Sequence, residues 1–180
     1  MANLNSPLQQ IKIWDMELCA FCNRRSRSFT VRNFFRLASR LGDGVFWYAL
    51  MIALLLQHGT GALPAVLHML AVGLVGTALY KLIKGKTLRP RPFNVYPAIH
   101  CVGKALDQFS FPSGHTLHAV AFSIVATAYY PELLWLVAPV ATLVALSRPI
   151  LGLHYPSDVL AGAALGVLIA ASSLQILLPT

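Results

Sequence analysis

Three short blocks carry the residue types that could bind an anion and move protons. The first runs from Lys84 to Arg91-Pro92. The second is Pro112-Ser113-Gly114-His115. The third contains Ser147-Arg148, His154 and Asp158. Lys84, Arg91 and Arg148 are cations, and buried cations need an anion. Only Asp107 and Asp158 lie near them in the sequence, so an anionic ligand could complete the balance. Arg offers a planar fork for phosphate oxygens and Lys a point charge. Taken singly, each cation has a plainer reading, because Lys or Arg at the end of a membrane span snorkels to the head groups. Three together, each tied to a histidine or a helix start, favour a ligand.

The second block opens an apolar run. A helix N-terminus there presents free N–H groups and a partial positive charge. Gly114 lets a ligand approach the backbone, and Ser113 can donate its hydroxyl. Ordinary capping by Ser113, with His115 an exposed loop residue, is the competing reading. In the third block, Pro156 fits the first position of a helix and Asp158 its first turn. Asp158 could be a favourable helix-start carboxylate and no more. It could instead accept the Nδ1–H of His154, fixing the tautomer and leaving Nε2 as a nucleophile. His115 could then protonate a leaving group.

The elements that position these blocks follow from composition. Of 180 residues, 57% are hydrophobic and 11% charged, against roughly 25% charged in an average soluble domain. Fourteen basic and six acidic residues cannot form a charged shell. A disordered chain and a soluble monomer are both excluded, and several membrane spans are expected. The net charge is +8. In a membrane protein this points to anionic lipid head groups or an anionic substrate rather than to nucleic acid.

Apolar runs predict five spans, at 41–58, 62–83, 116–130, 133–146 and 159–178. The first has 18 residues, just enough for a ~30 Å hydrocarbon core. Residues 57–61 and 131–132 read as tight turns. Residues 84–114 read as one long polar loop and 149–156 as a shorter one. Both loops and the N-terminus then share one face. Residues 28–40 predict an amphipathic helix with a basic stripe of Arg32, Arg36 and Arg40. Its apolar face would be Phe34, Leu37, Ala38 and Leu41. It could cover the bundle end or lie on lipid. The fold class expected is all-α: a polytopic membrane bundle of about five helices, with residues 1–40 a basic interfacial segment and 41–180 the catalytic domain.

Cys19, Cys22 and Cys101 make no disulfide framework, and Cys19 and Cys22 read as two stray thiols. No apolar run of signal length occurs in residues 1–40. His58 falls in a turn, His68 mid-span as a satisfied core group and His100 in the long loop. His118 lies one turn beyond His115. Lys86 and Arg89 read as solvated flanks, and Phe93 and Tyr96 as a lipid-facing rim.

All three blocks together resemble the type 2 phosphatidic acid phosphatases (PAP2), integral-membrane lipid phosphatases. The family pattern is K-x6-R-P, P-S-G-H and S-R-x5-H-x3-D. It fits without a gap on Lys84 to Arg91-Pro92, Pro112 to His115, and Ser147-Arg148 to His154 and Asp158. The motif region, roughly 80–160, covers under half the chain. The resemblance implies a phosphohistidine on His154, oriented by Asp158, with His115 as proton donor. It implies that Lys84, Arg91, Arg148, Ser113 and the Gly114 N–H hold the phosphate oxygens. No metal or cofactor is implied. Family members commonly have six spans, and five are expected here.

The expected activity is hydrolysis of a lipid phosphomonoester or pyrophosphate such as phosphatidic acid, phosphatidylglycerol phosphate or a polyprenyl pyrophosphate. Anion permeation and passive anchoring on anionic lipid are the alternatives. The expected location is the bacterial inner membrane. All fourteen basic residues lie on the motif face, seven in 12–40, six in 81–104, and Arg148. By the positive-inside rule that face is cytoplasmic; the family resemblance points outward instead.

Overall fold

The computed structural model describes residues 7–105 and 107–177 of the chain. The described residues form an all-helical bundle, with one isolated bridge pair, Pro90 and Phe109, in place of any strand. The helices are α1 (Pro7–Arg24), α2 (Phe29–Arg40), α3 (Phe46–His58), α4 (Leu63–Thr87), α5 (Pro92–Val95), α6 (Gly114–Tyr129), α7 (Leu134–Ile150) and α8 (Pro156–Leu177). The five expected spans correspond to α3, α4, α6, α7 and α8. Leu178, the expected end of the last span, lies outside the described residues, as do residues 1–6 of the N-terminal segment.

Among the described residues, three helical runs are long and apolar enough to cross a membrane: Phe29–Thr87, Pro131–Ile150 and Pro156–Leu177. The first contains both α3 and α4. It is broken at Gly44, whose φ of 109° suits glycine, and again by the turn Gly59–Ala62. Helix α6 has 16 residues, about 24 Å at 1.5 Å per residue. It is shorter than α4, α7 and α8 and packs against all three. Large apolar side chains such as Leu56, Leu74, Trp135 and Ile176 point outward from the bundle. Water would penalise such a surface, and hydrocarbon would not.

Helices without a hydrophobic drive between them associate through close packing of small residues. Gly162 and Gly166 do this on α8. A Cβ at Gly162 would stand 2.4 Å from Ser113 O, and one at Gly166 2.6 Å from Leu117 O. The start of α6 is thereby pressed against the start of α8, which brings the second and third blocks together.

Two boundaries differ from expectation in a useful way. Helix α4 runs on to Thr87, so Lys84 sits in its last turn rather than in a loop. Helix α7 runs on to Ile150, so Ser147 and Arg148 are helical too. In both helices these added turns bury polar side chains, Lys84 on α4 and Ser147 and Arg148 on α7.

The N-terminal segment holds an unexpected helix, α1. Its buried side carries Asp15, Cys19 and Asn23 against the 150–157 region. Polar residues on the docked side hid its periodicity. Helix α2 rests on α7 through Ala38 and Ser39, while Phe34 and Leu37 face outward. The apolar face expected for that helix is therefore split. Phe93 and Tyr96 are corrected too: they pack inward around Cys19, Ile99 and Tyr155.

Candidate active site

The end of α7 fixes the third block. Gly152, at φ 75°, reverses the chain so that the N–H groups of Leu153 and His154 reach Arg148 O, at 3.0 and 3.4 Å. A side chain there would meet His100 O at 2.7 Å. Arg91 Nη1 donates to Leu153 O at 2.7 Å and lies 3.4 Å from His154 Nε2. The first and third blocks thus meet at the imidazole.

Lys84 and Arg91 share one acid. Lys84 Nζ donates to both Asp107 oxygens, at 2.9 and 2.7 Å, and Arg91 Nη2 donates to Oδ1 at 2.9 Å. Burial alone would raise the Asp107 carboxyl, but Lys84 and Arg91 outweigh it and hold the group below its ordinary value. Arg148 is fully buried, bonded to Ser147 Oγ and to Ser39 Oγ of α2.

His154 is buried. Burial, then the surrounding charges of Arg91, Arg148, Lys84 and His115, push its imidazole well below the ordinary value. That direction favours the neutral ring that a nucleophile requires. Its expected hydrogen bond is not made. Nδ1 stands 3.5 Å from Asp158 Oδ2 and has no hydrogen-bond partner. Asp158 instead accepts from Tyr155 N at 2.9 Å and from Arg89 Nη1 at 2.6 Å. Arg89, expected on a solvated flank, is bound within the fold.

His115, in the first turn of α6, pairs through Nε2 with Asp43 Oδ1 at 2.6 Å. Ser113 is the N-cap of α6, with its hydroxyl on Thr116, and its N–H donates to Asp158 O. His118 bonds to Thr77, Gly73 O and Gly114 O. His68 is a satisfied core group, held by Tyr129 and Ser173.

A cavity of about 400 Å³ opens beside these residues. Lys84, Arg91, His115, His154 and Gly114 line it, with Asp43 and Asp107. Trp47, Tyr48, Leu70, Leu74 and Phe122 also line it, beside Thr77, Tyr80 and His118. Arg148, Ser113 and Asp158 stand behind this lining. Among the described residues no cluster of His, Cys, Asp or Glu has the arrangement of a metal site.

Sequence reasoning missed Asp43, Ser39, Asp15 and the pairing of Arg89. One signal could have found three of them. The chain has six acidic residues, and its only aspartates are Asp15, Asp43, Asp107 and Asp158. Each of the four pairs with a buried or site residue. In a chain so poor in acid, every carboxylate kept near the motifs is a candidate partner.

The profile of the PAP2 superfamily matches residues 61–179. An undecaprenyl-diphosphatase from Sulfolobus acidocaldarius is 29% identical over 139 residues, which is 77% of this chain and 66% of that protein. The chain thus spans just under two thirds of that relative's length. Aquifex aeolicus LpxE superposes with a TM-score of 0.76 at 26% identity, over 88% of this chain and 93% of that one. A transmembrane PAP2-type phosphatidylglycerolphosphate phosphatase from Bacillus subtilis shares the fold, with a TM-score of 0.75 at 24% identity over 96% of this chain and 88% of that one. With three motif blocks meeting at one cavity and the profile covering most of the chain, this integral-membrane helix bundle belongs to the PAP2 superfamily.

Proposed function

We propose that the chain is a lipid phosphatase that removes a phosphate from a lipid phosphomonoester or diphosphate through a phosphohistidine. The cavity carries this reading. Lys84, Arg91, His115 and His154 line it from the motif ends of the helices, whereas Leu70, Leu74 and Phe122 line it from further along α4 and α6, which matches a phosphate joined to a hydrocarbon tail. Transport and passive anchoring leave that pairing of histidines with cations unused.

In the proposed reaction, Nε2 of His154 attacks phosphorus as the ester or anhydride P–O bond breaks. His115 donates its proton to the departing oxygen, and Asp43 stabilises the charged imidazole. Lys84 and Arg91 neutralise the equatorial oxygens, and Arg148 adds positive charge from behind the cavity wall. Water then attacks the phosphohistidine, with His115 taking its proton, and phosphate leaves. The Asp107 carboxylate lies on two of the phosphate donors, so the incoming phosphate must exchange with it.

The undecaprenyl-diphosphatase relative makes a polyprenyl diphosphate the first substrate to try. The basic motif end supports a cytoplasmic site at the bacterial inner membrane. Trp14, Leu18 and Phe29, exposed on α1 and α2 among arginines, support an interfacial N-terminal segment.

The test is phosphate release by the purified full chain from phosphatidic acid, phosphatidylglycerol phosphate and undecaprenyl diphosphate, in EDTA. Turnover on at least one, inhibited by vanadate, is expected. No release from any of them, or activity that needs Mg²⁺ restored, overturns the reading.

A further inference from the structure

Asp15 belongs to α1, outside the stretch matched by the family profile. Its carboxylate is nonetheless only 4% exposed. Oδ1 accepts from Ser157 N at 2.8 Å. Oδ2 accepts from Arg89 Nη2 at 2.6 Å and also from Ser157 Oγ. Arg89 lies between two acids. Its Nη1 donates to Asp158 Oδ1 at 2.6 Å and to Ser157 Oγ at 2.8 Å. Its guanidinium lies 4.1 Å above the Tyr155 ring. This chain of charge, Asp15–Arg89–Asp158, ends 3.5 Å from His154 Nδ1.

We propose that Asp15 and Arg89 are positioning residues for the His154–Asp158 pair, so that α1 completes the active site from outside the motif region. The inference rests on the phosphatase reading for its kinetic meaning. The physical argument is one of competition. Asp158 has one carboxylate for two cationic claimants, Arg89 and the imidazolium that forms as His154 reacts. Asp15 takes half of Arg89 and so limits how strongly Arg89 draws Asp158 away. It also leaves the trio with a net negative charge beside the nucleophile. A plain structural role, in which Asp15 only clips α1 to the start of α8, predicts no electrical effect on His154.

The two residues act with opposite sign. Asp15→Asn removes a negative charge and commits Arg89 to Asp158, so the His154 titration midpoint falls. Arg89→Gln removes a positive charge and frees Asp158, so the midpoint rises. The other charged or titratable groups around His154 are unchanged in both variants: Lys84 on α4, Arg91 and Asp107 in the long loop, His115 on α6 and Arg148 on α7. Cys19 on α1 donates to His154 O, and burial pushes its thiol up to about 12, so it stays neutral.

The experiment uses the full chain in detergent with ¹⁵N-labelled histidine, His154 being assigned by His154→Asn. Midpoints should move in opposite directions by on the order of half a pH unit. In parallel, kcat for Asp15→Asn should fall about ten- to a hundredfold with KM little changed, as expected for misorientation of a reacting group. Arg89→Lys keeps the charge and should bring the midpoint back toward the parent's; if Arg89→Gln does not fold, the presence or absence of the fall in Asp15→Asn decides. Unmoved midpoints, or shifts of the same sign, overturn the proposal. NMR needs no turnover, so a wild-type protein that released no phosphate would defeat the phosphatase reading while the midpoints still decided this one.

Discussion

Both carboxylate oxygens of Asp107 lie against Lys84 Nζ, at 2.7 and 2.9 Å. The same acid also accepts from Arg91, so it bridges the two cations of the first block. It lies on the long loop, and its side chain is 38% exposed, whereas the cations it bridges are buried. An anion entering the cavity would therefore compete with an internal one.

Asp107→Asn should relieve that competition. Vanadate inhibition should tighten by up to about fivefold, the range that partly exposed ion pairs support, and KM should fall with it. Unchanged or weaker inhibition would show that Asp107 orients the cations rather than competing for them. A stability effect follows from the same pair. The Asp107 pKa is held below its ordinary value, so the stabilisation is complete above the usual aspartate range and fades as pH falls through the lowered value. Asp107→Asn should melt below the parent at pH 7 and converge with it in strong acid.

His154→Ala and His115→Ala should each remove turnover while the protein folds and inserts. Loss of a general acid costs about 10²–10⁴-fold, and loss of the nucleophile at least as much. Phosphate release by purified variants measures this, with the melting curve as the control. Near-normal turnover in either variant cancels that residue's role.

Gly162→Leu tests how the blocks are brought together. Even a Cβ at this position would stand 2.4 Å from Ser113 O, which is backbone and cannot swing aside. The start of α6 must move, at a cost of roughly 1–3 kcal/mol, and Ser113, Gly114 and His115 move with it. Lower thermal stability and lower kcat are expected together. A variant with parental melting and parental rate would show that α6 and α8 are looser than this packing implies.

Sidedness has a single practical reporter. Cys19 is buried and Cys22 half-buried, while Cys101 is exposed on the long loop at the motif end. With a cytoplasmic site, a membrane-impermeant maleimide should label Cys101 only after lysis. Labelling of intact cells that is lost in Cys101→Ser would place the active site outside.

The sequence by itself determined the membrane bundle and which polar residues gather at one end of it. Runs of apolar residues can bury their backbone in lipid only as helices, so five runs specified five helices. Lys84, Arg91, His115, Arg148, His154 and Asp158 were legible because buried charge is costly and clusters of it at span ends have few uses. Tertiary structure alone decided who pairs with whom. Asp43 reaches His115 across 72 positions, and Asp15 reaches Ser157 across 142. Such contacts leave no trace in local periodicity. Helix α1 was hidden for the same reason: its docked side is polar, and only the fold supplies Arg89 and Ser157 as partners. Whether Asp158 serves His154 or Arg89 is a choice between contacts at 3.5 and 2.6 Å. Spacing in the chain carries no information about that difference, because Arg89 reaches Asp158 across 69 positions and only the folded chain brings them together.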